Sequence, residues 1–204
     1  MSEGVSKFSA LSSNTTVVSH TDTPNHTHQH TKMPYYVCVL GYFPKPKVGY
    51  TLHNDNNMNT RLLDEMKTFI KECIAKFQDT HEVIVLSGLN RGFDIDAIHV
   101  VNEMNIPFVA VLPAITDLTN VANEEKDQDT KLVELLGAAK DTIIVSARGE
   151  LKKETLFERD ELMIKKADVV FAIYNFDQNT EIGRAVSYCN QFRKPMVIVN
   201  PNDL

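Results

Sequence analysis

The sequence predicts an α/β fold of the Rossmann-like type: a single domain built on a mainly parallel sheet with helices on both faces. Three observations lead there. From residue 35 onward, short apolar runs alternate with amphipathic segments of helical length, the pattern of successive βαβ units. The runs are continuous rather than alternating, as strands covered on both faces require. At residues 82–101, EVIVLSGLNRGFDIDAIHVV, an apolar run breaks on Ser-Gly and restarts as a helix, which reads as strand, tight turn, helix.

Taken in order, the strands are expected at residues 35–41, 83–86, 108–112, 142–145, 169–173 and 196–199. Each is a short stretch rich in Val, Ile, Leu or Phe, bounded by Gly, Pro, Asn or charged residues. Helices are expected at 58–77, 94–104, 124–139, 154–166 and 181–192, where apolar residues recur at helical spacing between polar ones. The acidic residues at 124–129 suit the first turns of a helix, where negative charge meets the positive end of the dipole. Parallel crossovers are right-handed, and in such sheets ligands sit beyond the carboxyl ends of the strands, where the strand order reverses.

Composition narrows the function classes. With 204 residues and 43% hydrophobic content the chain can bury a sizeable core. No segment approaches the roughly 20 apolar residues of a membrane helix. A formal net charge of −6 speaks against a nucleic-acid backbone as the main partner, so nucleic acid is an unlikely one. Cys38, Cys73 and Cys189 lie inside apolar patterns without a CxxC spacing; with no secretory signal pattern they are expected to be buried thiols of a cytoplasmic protein.

Residues 1–33 are rich in Ser, Thr, Asn and His, lack hydrophobic periodicity and read as a disordered tail ahead of a domain at 34–204. His20, His26, His28 and His30 fall within it, and no metal site is assigned to them; no cofactor is expected either. Lys45 and Lys47, between prolines, read as a solvated, stiffened loop.

The turn after the second strand is the first candidate site. Gly88 and Gly92 allow positive φ and close backbone approach, and a helix N-terminus behind them favours an anion. Arg91 adds a cation suited to bidentate contact. Asp94 is placed either to cap the helix or to accept from a ribose hydroxyl. Asp168, at a strand entry, reads as structural.

Three of the strand-end segments together resemble a family. LGYFPKPKVGY (residues 40–50) is similar to the opening of YpsA-like proteins, and SGLNRGFDIDAIH (residues 87–99) to the turn these share with DprA. ERDELMIKKADVVFAIYNFDQNTEIGRAVSYCNQFRKPMVIVNP (residues 158–201) resembles the family's closing helix, strand, Gly/Thr turn, helix and strand. These families form the SLOG superfamily of Rossmann-like domains, which also holds the lonely-guy phosphoribohydrolases.

The resemblance implies a nucleotide or nucleotide-derived ligand held by Gly41 and Tyr42, by Ser87, Gly88, Arg91, Gly92 and Asp94, by Arg159, and by Asn175, Thr180 and Gly183. Tyr42 is a candidate for stacking on a base. The lonely-guy motif P-G-G-x-G-T-x-x-E finds its Thr in Thr180, but its double glycine is absent and Gly183 stands where its glutamate would be. Loss of that carboxylate removes the expected acid–base group. The resemblance therefore implies a sensor or sequestering protein for a small nucleotide, ADP-ribose-like or cyclic, with a role in immune signalling or its evasion. The alternative is a nucleoside 5′-monophosphate N-glycosidase using Glu181 and Asp94, and the third reading is DNA binding in the manner of DprA. Relatives of this fold often pair through helices beside the crevice, so a homo-oligomer is expected, with the helix at 181–192 as a pairing face.

Overall fold

All six apolar runs become strands, and all six join one parallel sheet. In the computed structural model the described residues are 32–41, 55–90, 92–114, 126–146 and 152–203. The chain divides into two units, Met1–Thr31 and Lys32–Leu204. Up to residue 31 the expected tail, with its four histidines, lies outside the described residues, as do Tyr42, Arg91, Lys45 and Lys47.

The second unit runs β1 (Met33–Gly41), α1 (Asp55–Phe77), β2 (His81–Ser87), α2 (Phe93–Glu103), β3 (Phe108–Ala114), α3 (Lys126–Ala138), β4 (Asp141–Ser146), α4 (Lys153–Lys166), β5 (Val169–Ile173), α5 (Glu181–Gln191) and β6 (Met196–Val199), closing on a 3-10 turn at Pro201–Asp203. The strand order is β4-β3-β2-β1-β5-β6. Every pairing is parallel. From β1 the chain steps outward to β4, then returns across the sheet to β5. Parallel crossovers of one hand must place helices of the two directions on opposite faces, and they do. Residues of α1, α2 and α3 pack with Val37, Val85 and Phe171 on one face, and residues of α4 and α5 pack with Cys38, Leu86 and Ala172 on the other.

The α1 stripe shows how periodicity sets the packing. Leu62, Met66, Ile70 and Cys73 recur every three or four residues and are all buried, so one face of the helix meets the sheet. Phe69 beside them stacks on Phe171 of β5 at 5.5 Å between ring centroids. On the opposite side of the sheet Cys189 of α5 is fully buried, and Cys38 is enclosed within β1. Burial raises the pKa of all three thiols, that of Cys189 to about 11. Among the described residues no helix is long and apolar enough to cross a membrane.

At the entry end of the sheet, Asp168 Oδ2 accepts from the Tyr36 amide at 2.7 Å, and the Asp168 amide donates to the Tyr36 carbonyl at 2.8 Å. The residue stitches β1 to the start of β5, the structural role its position suggests. The important geometric result lies at the other end: Gly41 is paired with Ile173. The exits of β1 and β5 are thus level and adjacent at the point where strand order reverses, which opens a crevice there.

Ile70→Ala, at a fully buried position, should lower the unfolding free energy by about 2–5 kcal/mol. Val133→Ala, at a side chain 62% exposed, should change it by no more than about 0.5 kcal/mol. Urea titrations followed by circular dichroism check both.

Candidate functional site

A chain of buried polar contacts links the strand ends around this crevice. Asp94, 1% exposed, accepts from the Gly41 amide through Oδ1 at 2.9 Å and from Asn90 Nδ2 through Oδ2 at 2.9 Å. The Asn90 carbonyl oxygen in turn accepts from Arg159 Nη1 at 2.7 Å. Arg159 Nε and Nη2 both donate to Asp160 Oδ1, at 3.0 and 2.7 Å. One connected path therefore joins β1, the β2–α2 turn and α4.

Local sequence explains each placement. Gly41 has no room for a side chain, because a Cβ would lie 2.2 Å from the Phe93 ring. Its amide already serves Asp94. Gly88 is required by a different neighbour: a Cβ there would stand 2.8 Å from the Arg159 guanidinium carbon. Gly88 does not take the positive φ expected of it; Leu89 turns the chain at φ 51°, and Gly92 follows at φ 95°. Ser87, fully buried, accepts from the Leu89 amide at 3.1 Å and steadies that turn. The helix begins at Phe93 with Gly92 as its N-cap and no side-chain cap bond. Asp94 is therefore not a cap: its carboxylate is drawn inward, because Gly41 and Asn90 offer buried donors that need an acceptor.

Electrostatics set the character of the cluster. Burial pushes the Asp94 pKa up to about 7, against the lowering pull of Arg159, the Gly41 amide and Asn90. Burial also raises Asp160, with Arg159 opposing and the charges of Glu181 and Arg184 acting in opposite senses. Arg159, itself 3% exposed, is the cation shared by both carboxylates.

The remaining predicted residues form a second group at the exit of β5. Asn175 Oδ1 accepts from the Asp177 amide at 3.2 Å, and Asp177 Oδ1 from the Asn179 amide at 3.0 Å. Thr180 donates to the Asp177 carbonyl at 2.8 Å and accepts from the Gly183 amide at 3.0 Å, capping α5. These are successive Asx and capping turns, so the loop holds its own shape. Gly183 is forced by the same loop, since a Cβ would meet the Asp177 carbonyl oxygen at 2.6 Å and Gln178 Cα at 2.7 Å. A glutamate at that position has no space in this loop conformation. Glu181 is exposed on the first turn of α5, whereas Asp94 is buried with both oxygens engaged.

The structure thus brings Gly41, Gly88, Asp94 and Arg159 into one cluster, with Ser87 and Gly92 shaping its turn. Asn175, Thr180 and Gly183 stand apart in the second. Asn90 and Asp160 were missed. Their only signals were an Asn inside the SGLNRG turn and an acid directly after Arg159.

Two tests follow from this geometry. An aspartate in an unfolded chain titrates at ~3.9, and burial pushes Asp94 up to about 7 in the folded state. The folded state keeps a proton the unfolded chain has released, so this stabilisation is full below about pH 4 and is lost as pH rises toward 7. Between roughly pH 5 and pH 8, wild type should lose on the order of 2 kcal/mol relative to Asp94→Asn in urea titrations; a constant difference would refute the assignment. Gly183→Ala should cost about 1–3 kcal/mol through the displaced 177–178 backbone, read as a lowered urea midpoint.

No family model and no curated protein matches the sequence. Among solved structures, the chain is similar to DNA processing protein A from Helicobacter pylori, described as binding single-stranded DNA: TM-score 0.55, 15% identity, covering 84% of this chain and 71% of that one. It is also similar to DNA processing protein A (DprA) from Streptococcus pneumoniae, with TM-score 0.50 and 12% identity over 81% of this chain; it spans half of that protein's length. At such identities the likeness is one of architecture. The chain has the Rossmann-like α/β fold found in the DprA proteins.

Proposed function

We propose that this chain binds a small nucleotide or nucleotide-derived molecule in the crevice beyond β1, β2 and β5, and senses or sequesters it without turnover. The observation that carries the reading is the Arg159 guanidinium, held against side-chain-free Gly88 at the strand ends. Asp160 takes the Nε and Nη2 edge and Asn90 one Nη1 proton, so phosphate contact falls to the two remaining Nη protons, held in a fixed orientation. The YpsA-like motifs of the sequence agree with this reading, and so does the Rossmann-like sheet, whose ligands gather at the reversal of strand order.

The lack of turnover is supported by the loop at the β5 exit. Backbone fills the space beside Gly183 where the hydrolase glutamate would stand. Asp94 has both oxygens committed within the protein. An N-glycosidase would need a carboxylate presented to the sugar, and of the two residues suggested only Glu181 is exposed.

Single-stranded DNA is the second reading, favoured by the architectural likeness to DprA. The expectation that nucleic acid is an unlikely partner finds no support in that likeness. Against it stands the net charge of −6, because strand binding rests on several phosphate contacts.

Ligand-stripped protein titrated calorimetrically with nucleoside mono- and diphosphates, ADP-ribose, cyclic nucleotides and an oligo-dT strand separates the readings. Saturable binding of one small nucleotide, with no free base appearing on incubation, is expected. Arg159→Lys keeps the charge but loses the fork, and should weaken binding by about tenfold. Binding of oligo-dT alone, with a steep salt dependence, would establish the second reading. Release of free base would make the protein a glycosidase, and silence across the whole panel would refute the proposal.

A further inference from the structure

Beside the proposed nucleotide crevice lies a shallow cleft of about 490 Å³, lined by Tyr174, Phe176, Gln178, Gly183, Arg184, Val186, Ser187 and Asn190. Its most unusual member is Phe176. The residue is 61% exposed and sits at φ 64°, a left-handed conformation that costs a bulky side chain strain. Nothing about folding asks for a phenylalanine there: Asn or Gly would hold the turn with less strain, and a ring mostly in water contributes little to the core.

The surroundings hold that ring in place. Asn175 and Asp177, on either side of it, each accept a backbone amide in an Asx turn, and Thr180 ties the loop to α5. Behind it the ring of Tyr174, buried in the sheet's core, lies 5.3 Å away between centroids. The platform is therefore preorganised, with two aromatic rings in contact and one surface open. The rest of the lining is amide or hydroxyl from Gln178, Ser187 and Asn190, groups that can donate to and accept from a heterocycle's edge. In a chain of net charge −6 the cleft has no acid among its described lining residues, and the one charged side chain among them is a cation, Arg184. That guanidinium rests 3.3 Å from the Phe157 ring centroid, on the same helix as Arg159. The cleft thus favours a planar heteroaromatic group attached to an anion.

We infer that Phe176 is a stacking platform for a nucleobase, with Gln178, Ser187 and Asn190 placed around the base edge and Arg184 on its anionic side. This rests on the nucleotide-binding reading and adds the subsite that holds the base. Every base has a π-face, so a platform of this kind tolerates different bases, and discrimination falls to the amides.

The probe is 2-aminopurine riboside 5′-monophosphate, whose fluorescence is quenched when the base stacks, run in parallel with an oligo-dT strand carrying one 2-aminopurine. Quenching of the mononucleotide by wild-type protein is expected. Phe176→Leu, a change at an exposed site that keeps the apolar character, should weaken binding by about tenfold with an unchanged urea midpoint, and Phe176→Tyr should restore both affinity and quenching. Unchanged affinity and quenching in Phe176→Leu would overturn the subsite and leave the nucleotide-binding reading standing. Absence of binding by either probe to wild type would overturn both. If only the oligonucleotide is quenched, and Phe176→Leu abolishes this, the platform stands and its base comes from a strand.

Discussion

A guanidinium taken out of water costs several kcal/mol unless its surroundings replace the lost hydration. Arg159 is almost wholly buried, and the strand ends of this sheet are arranged around meeting that requirement. Asp160 supplies the countercharge from the next position on the same helix. Asn90 supplies a neutral acceptor from across the crevice, and its amide nitrogen is then directed at Asp94. Asp94 in turn needs donors, and takes the Gly41 amide. Each partner satisfies one neighbour and creates a demand that the next must meet, which is why β1, the β2–α2 turn and α4 keep a fixed relation.

Glycine use follows from the same packing. Gly41, Gly88 and Gly183 resemble ligand-cradling glycines in sequence, yet in the structure each makes room for part of the protein itself: a Phe93 ring, the Arg159 guanidinium and a loop backbone. At Gly88 the group admitted is a buried cation, the Arg159 guanidinium. At Gly183 the admitted group is the 177–178 backbone, which leaves no space for a longer side chain.

Much of this was legible in the sequence, for reasons that differ between elements. The strands β5 and β6 have the limits expected of them, because Asp168 and the Lys194-Pro195 pair punctuate their apolar runs sharply. Helices α1 and α3 drift by two or three residues at their starts, where polar residues give no periodic signal. Helix α2 starts one residue ahead of the expected position 94, and Asp94 does not cap it: an acid at a helix entry has a local use as a cap, and nothing local reveals the buried amide of Gly41, 53 residues away, that claims it instead. Asn90 and Arg159 are 69 residues apart. Such a pair has no periodicity or spacing to betray it, and exists only once strand order has brought the β2 exit beneath α4. The positive φ at Leu89 escaped for a related reason, since the flanking glycines made a bulky residue the least expected place for the chain to turn.

The three cysteines give the molecule a set of internal clocks. A thiol reacts as its thiolate, and here burial both hides each sulfur and holds its proton. Modification must then wait for the structure to open. Cys73 is on the buried side of α1 on one face of the sheet, Cys189 on the buried side of α5 on the other, and Cys38 is in β1, packed on the α5 face. The order in which an alkylating reagent reaches them would report which helical layer lifts first, and whether the face bearing α5 breathes independently of the face bearing α1.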